Sequence, residues 1–278
     1  MAQELEIKLT LSPDMSRQAH QWLMAQPEAS AGACKTLINA YFDTPQADLN
    51  QRRAALRMRQ AGDRNIQTLK TQGEFVNGAH RRQEWEWPVP TTALDLSLLA
   101  GTPLADDLDL STLTAVFETN FERQIVMLDD GEALIECAFD SGEIKAAGHV
   151  MPLCELEFEL KSGDESRLLY WARQVAEQVP FFINLISKAE QGYHLAGLHE
   201  PEALADDADV VTRFFHGVSV LWLNGAVTNE LAVAMSEVES CFKNVASASE
   251  ALAFERFRAA PDRTKVLSLG AFQLALLG

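Results

Sequence analysis

The chain has 278 residues, 47% hydrophobic and 23% charged, a balance that argues against a disordered or membrane-embedded protein and suits a main body with an appendage. Its formal charge of −17 repels a polyanion at a distance and disfavours non-specific nucleic-acid binding, so an anionic substrate needs a local cluster of bases or a cation held by the surplus carboxylates. Cys34, Cys137, Cys154 and Cys241 show no CxxC spacing, which disfavours a zinc site or a disulfide framework and leaves reduced structural thiols as the expectation.

Residues 3–11 alternate polar and apolar with period two, the pattern of a half-buried strand. Ser12-Pro13-Asp14 is a helix start, and Met15, Ala19, Trp22 and Leu23 follow at helical spacing up to Pro27. An Ala/Gly-rich break is expected at 29–33. Strands are then predicted at 36–42, 54–60, 65–71 and 81–89, with turns at Gly62-Asp63 and between Gly73 and Gly78. Residues 90–109 read as loop with short helical pieces. Three further strands are predicted at 116–128, 133–140 and 150–161. Eight strands joined mostly by short turns suggest closure into an antiparallel barrel, the general way to remove exposed sheet edges. Helices are expected at 165–178 and 187–198, and a linker at 199–209. An all-α stretch should fill 210–278, where Phe214, Val218, Leu221 and Trp222 recur at helical spacing. No apolar run reaches membrane-spanning length and the first residues lack a cleavage-site pattern, so a cytoplasmic protein with no membrane partner is expected.

The polar faces of these strands are unusually rich in charge. Glu4, Glu6 and Lys8 share one face while Leu5, Ile7 and Leu9 share the other. Arg57 and Arg59 oppose Leu56 and Met58. Arg82, Glu84 and Glu86 oppose Trp85 and Trp87, Glu136 and Asp140 lie together, and Glu155, Glu157 and Glu159 oppose Leu156 and Phe158. Turned outward, such stripes are solvated faces with cross-strand ion pairs. Turned inward, they line a tunnel in which crowded carboxylates call for a cation and crowded bases for an anion.

The ordered set Glu4-Leu5-Glu6-Ile7-Lys8, Tyr41-Phe42-Asp43-Thr44-Pro45 and Leu56-Arg57-Met58-Arg59 resembles the motifs of the CYTH superfamily, the triphosphate tunnel metalloenzymes. Lys70, Arg82 with Glu84, Arg123, Asp140, Glu155-Leu156-Glu157 and Ser187-Lys188 continue the match over residues 1–198. The resemblance is greatest to bacterial inorganic triphosphatases that carry a helical CHAD module after the barrel. It implies an α+β fold, an eight-stranded antiparallel barrel flanked by helices, at 1–200. Residues 210–278 then form an all-α segment like a truncated or degenerate CHAD module, too short and too poor in bases for a full one.

The resemblance further implies metal-dependent cleavage of inorganic triphosphate to pyrophosphate and phosphate, with Mg2+ or Mn2+. Glu4, Glu6, Glu155 and Glu157 are then the metal ligands. Lys8, Arg57, Arg59, Lys70, Arg82, Arg123 and Lys188 hold the phosphates, with Glu84 and Asp140 as further members of the catalytic set. Glu136 and Glu159 share these faces, Glu159 nearer a rim, and Lys145 is the weakest candidate. Thiamine triphosphatase, a class IV adenylate cyclase and a non-catalytic polyphosphate binder are the competing readings on the same fold.

Overall fold

The computed structural model describes residues 2–71, 73–76, 79–104, 109–201, 204, 208–241 and 247–278. The strands are β1 (Ala2–Thr10), β2 (Ala29–Asp43), β3 (Ala55–Ala61), β4 (Arg64–Lys70), β5 (Glu74–Val76), β6 (Ala79–Val89), β7 (Thr114–Asp129), β8 (Ala133–Ala146), β9 (His149–Gly163) and β10 (Phe182–Ile183). Eight of them close a ring in the order β1-β9-β8-β7-β2-β3-β4-β6, with β6 returning antiparallel onto β1 through Glu4↔Arg82 and Glu6↔His80. The short β5 and β10 add to β6 and β1.

Side-chain alternation decides what the ring encloses. The charged stripes turn inward, and the apolar faces turn out against helices and loops. On β1 the outward Leu5, Ile7 and Leu9 join Phe158 of β9 in the largest core, which also takes in Leu23 of α1 (Pro13–Met24) and Trp171 of α3 (Ser166–Ala176). Trp85 and Trp87 pack outside on a second cluster built on Leu49, Leu56, Leu69, Leu99 and Leu104. Leu49 belongs to α2 (Asp48–Gln51), held by the Asp43 carboxylate, which accepts from the backbone amides of Thr44, Leu49 and Asn50. A third cluster seats Tyr193 of α4 (Lys188–Leu195) on Phe117 and Phe121.

The expected break at 29–33 is absent: β2 runs through it, and the interruption is a register irregularity between Ala31 and Cys34. A Cβ at Gly32 would lie 2.6 Å from the Ile125 side chain, so glycine there admits close approach of β7 rather than ending the strand. Residues 77–78 of the predicted turn and 202–203 and 205–207 of the predicted linker lie outside the described residues. The three cysteines whose side chains are described are free thiols, as expected; among them Cys137 is buried, Cys154 half-buried and Cys34 exposed, so a core position fits Cys137, and the side chain of Cys241 lies outside those described.

The C-terminal stretch is helical as predicted: α5 (Val210–Asn224), α6 (Asn229–Cys241), α7 (Ala248–Ala259), α8 (Arg263–Val266) and α9 (Gly270–Leu276). Phe214, Phe254, Phe257 and Phe272 pack in the same core as Leu9 and Phe182. No helix among the described residues is long and apolar enough to cross a membrane.

Candidate active site

The lumen is a continuous cavity lined by Glu4, Glu6 and Lys8 of β1, Arg57 and Arg59 of β3, Lys70 of β4, Arg82, Glu84 and Glu86 of β6, and Arg123, Glu136, Glu157, Glu159 and Lys188. It holds two ion-pair networks. In the first, Arg82 donates to Glu4 at 2.8 Å and to Glu6 at 2.7 Å, while Lys70 lies 3.0 Å from Glu4 and 3.3 Å from Glu84. Burial alone would push Glu4 up, but Lys70 and Arg82 hold it well below the usual carboxylate range. Glu6 is pushed up to about 7 by burial, with Glu4 and Glu157 adding to the shift and Arg82 opposing it.

In the second network, Arg123 donates to both oxygens of Asp140, at 2.7 and 2.6 Å, and to Glu157 at 2.6 Å. Lys188 lies 2.9 Å from Asp140 and 2.7 Å from Glu155. Burial opposes the charge on Lys188, yet its carboxylate partners raise its pKa well above the ordinary lysine value; Lys188 and Arg123 likewise hold Glu157 well below its ordinary value against burial. Lys188 sits in the first turn of α4, where the helix dipole disfavours a cation. Three carboxylates outweigh that term. The turn itself is fixed by a capping box between Ser187 and Glu190.

Between the networks stand cations with little compensation. Arg59 donates to the Asn39 side chain at 2.7 Å, and burial beside Arg57 and Arg123 brings its pKa down to about 9. Among the described residues Arg57 has only distant carboxylates, Glu84 at 3.9 Å and Glu86 at 3.8 Å, besides Thr68 at 3.1 Å. Its buried Nε has no hydrogen-bond partner among the described residues. Lys8 is 2% exposed and its ammonium makes no hydrogen bond or ion pair with a described residue; burial lowers its pKa. Three such cations around one cavity are a site prepared for an anion.

The lumen therefore brings together Lys8, Arg57, Arg59, Lys70, Arg82, Glu84, Arg123, Asp140 and Lys188. Of the four expected ligands it groups Glu4 and Glu6, with Glu157 diagonal to Glu6, since Glu6 faces Glu159 and Lys8 faces Glu157 across β1–β9. Glu155 lies farther along, facing Thr10, and accepts a hydrogen bond from Gln191 at 2.9 Å. Among the described residues no three His, Cys, Asp or Glu side chains stand preassembled around a metal position, because Lys and Arg occupy the carboxylates. Glu159 pairs with Lys161 at 2.7 Å, as its place toward the rim suggests, and Lys145 is exposed and pairs with Glu143. Arg81 points outward to Glu165.

Lys35, Asn39, Tyr41 and Gln191 were not singled out from the sequence as site residues, although Asn39 and Gln191 hold lumen groups and Lys35 and Tyr41 line the cavity. A signal existed for each: Lys35, Asn39 and Tyr41 share the parity of β2, and Gln191 is one helical turn from Lys188.

A closed antiparallel barrel with acids and bases turned into its lumen defines a tunnel-type fold, and comparisons agree. The CYTH domain matches residues 2–193, and the chain belongs to the CYTH family. An inorganic triphosphatase of Haemophilus influenzae is 34% identical over 200 residues, 70% of this chain and 55% of that one, so the chain spans about half the length of that relative. A candidate adenylyl cyclase of Hippeastrum, described as having a dominant triphosphatase activity, shares the fold with a TM-score of 0.52 at 17% identity, covering 69% of this chain and 95% of that one.

Proposed function

We propose that the chain hydrolyses inorganic triphosphate to pyrophosphate and phosphate with the aid of a divalent cation. The reading is carried by one observation, the under-compensated Lys8, Arg57 and Arg59 facing a lumen whose carboxylates are held by exchangeable Lys and Arg. The Haemophilus influenzae relative named inorganic triphosphatase supports it. A cation fits the donor set, because burial, with Glu4 and Glu157 adding to it, raises the pKa of Glu6 to about 7, a cost to its charged form that a bound cation would relieve. Glu4, Glu6, Glu155 and Glu157 are proposed to hold it, Mg2+ or Mn2+ by their hard oxygen donors, with Glu155 the outlying member. When bound it neutralises charge on the phosphate oxygens.

The protein groups divide the remaining work. Arg57 and Arg59 grip non-bridging oxygens through planar donor forks, and Lys8 adds a point charge. Lys70, Arg82, Arg123 and Lys188 exchange a carboxylate for a phosphate partner as substrate enters, so few charges are left bare at any stage. Glu84 and Asp140 orient these bases, Glu84 beside Lys70 and Arg57, Asp140 under Arg123 and Lys188. Phosphoryl transfer asks for in-line positioning and charge stabilisation, and the lumen supplies both without a covalent nucleophile. Residues 1–200 are proposed as the tunnel domain and 210–278 as a helical appendage, in a cytoplasmic protein that binds neither nucleic acid nor membrane.

Phosphate release from inorganic triphosphate, ATP and thiamine triphosphate, each with Mg2+ or Mn2+ and with EDTA, tests this reading. The expected result is metal-dependent release from inorganic triphosphate with ATP much poorer. Equal turnover of ATP, or formation of cyclic AMP, overturns it.

A further inference from the structure

We propose that residues 198–201, strapped over one mouth of the tunnel, set substrate specificity by occupying the space that an organic group on a triphosphate would need. The inference rests on the triphosphatase reading and goes beyond it by naming the residues that exclude organic triphosphates.

The strap begins where α4 ends. Gly197 turns the chain with φ +71°, a conformation that side-chain-bearing residues rarely adopt, and the Leu198 amide closes onto the Tyr193 carbonyl at 3.0 Å. Two helices then pin it. Asn50 of α2 donates its side-chain amide to the Leu198 carbonyl at 3.4 Å and lies 3.3 Å from Nδ1 of His199. Nδ1 of His194 on α4 lies 3.2 Å from the His199 carbonyl. Because Asp43 fixes the first turn of α2, the segment Tyr41-Phe42-Asp43 serves both the lumen wall and the pin.

Leu198, His199, Glu200 and Pro201 line the same cavity as the phosphate-facing bases, joined there by Thr212 and His216 of α5. The two mouths differ in chemistry. From the α2 and α4 end, β3 runs Arg57, Arg59, Ala61 and β9 runs Glu155, Glu157, Glu159 toward the other end, where Lys35, Arg64, Glu136 and Lys161 make the rim charged. The strapped mouth adds the apolar Ala54, Leu185, Tyr193, Leu198 and Pro201 to polar and charged neighbours that include Asn50, Arg53, Glu190 and His199. A nucleobase or other planar organic group would find its apolar contacts at this mouth, where the strap forms part of the wall and narrows the room left for it. An inorganic triphosphate carries no atom there to exclude.

Two variants test the strap by different routes: Asn50→Ala removes the pin, and Leu198→Ala combined with Pro201→Ala removes bulk. The readouts are kcat/KM for inorganic triphosphate and for ATP with Mg2+, and calorimetric affinity for both compounds in EDTA. In each variant the ATP-to-triphosphate ratio is expected to rise about tenfold, with triphosphate itself changing less than about twofold. An unchanged ratio in both variants overturns the proposal, as does a parallel loss on both substrates, which marks a structural role. A falling ratio overturns it too, since the strap would then build an organic pocket. If the wild type turns over no triphosphate, the functional reading fails while the affinity ratio still decides the strap.

Discussion

Arg59 concentrates the physics of the lumen in one side chain. Buried beside Arg57 and Arg123, it is held by Asn39 and by no carboxylate within ion-pair distance among the described residues. Replacing it by Ala removes one member of a like-charge cluster, so the ligand-free protein should melt at the same temperature or higher, while triphosphate with Mg2+ should raise the melting temperature less than in the wild type. Thermal melts with and without both ligands check this, and a ligand-free variant that melts far lower contradicts it. Glu6→Gln keeps size and removes charge, so kcat should fall at least a hundredfold, about 3 kcal/mol in the barrier. Near-normal steady-state turnover in that variant would exclude Glu6 from the reacting centre. Away from the tunnel, Asp130 answers a different question. Burial would raise its pKa, yet bonds from the Ala133 amide, Trp171, Arg167 and the Glu132 amide lower it to about 2 from 3.8. A depressed folded-state pKa contributes stability above pH 3.8 that is lost as pH falls toward 2. Asp130→Asn should therefore cost about 1–2 kcal/mol at pH 7 and much less near pH 2, read by urea unfolding at both. The sequence could not show this site, because the partners Arg167 and Trp171 stand 37 and 41 positions away.

At the scale of elements, the strands were the most legible part of the chain, because a period of two survives whatever lies on either side of the sheet. What parity leaves open is the sign of the curvature: Glu4-Leu5-Glu6 reads alike whether its acids face water or a lumen. Only the closure of β6 onto β1 decides it. The metal ligands were less legible than the clamp, since register and not parity sets Glu157 near Glu6 and leaves Glu155 beside Gln191. The stretch around Gly32 was misread because Ala and Gly mark both breaks and close approach, and the side chain that needs the space, Ile125, lies on another strand. The joint between α9 and β10 was invisible for a similar reason. Gln273 accepts from the Ile183 amide at 2.7 Å and donates to the Ile183 carbonyl at 3.1 Å, so one buried side chain satisfies both backbone groups of an edge residue. Gln273→Ala should leave both without that partner and cost about 2–3 kcal/mol in denaturant unfolding. A loss below about 0.5 kcal/mol would mean that water reaches the joint.

For the whole molecule, the proposed division at the linker describes the order of the chain, while the apolar core crosses it. Every residue proposed to hold phosphate or metal precedes residue 200, which by itself suggests that the barrel works alone, although Pro201, Thr212 and His216 also line the cavity. Against that, Phe214, Phe257 and Phe272 are buried in a cluster with Leu9, Phe158 and Phe182, and the Leu185 amide donates to the Ser219 hydroxyl at 3.0 Å. The helical spacing of Phe214, Val218 and Leu221 announces a buried face without saying what buries it, so a linker rich in acids reads as a boundary even though the helices beyond it fold back. Each large side chain uncovered by truncation forfeits about 1.5–3 kcal/mol of burial, and several are uncovered together on one flank of the barrel. That sum is comparable to the whole stability of a domain. A chain ending near residue 200 should therefore melt well below the full chain and self-associate, while any fraction that stays folded keeps the phosphate-facing side chains and turns over triphosphate. Sedimentation velocity and thermal melts of the two chains, with turnover normalised to the folded monomer, separate these effects. A truncated chain that is monomeric and melts with the full one would show that the shared core contributes little, and that the helices are an appendage in energy as well as in sequence.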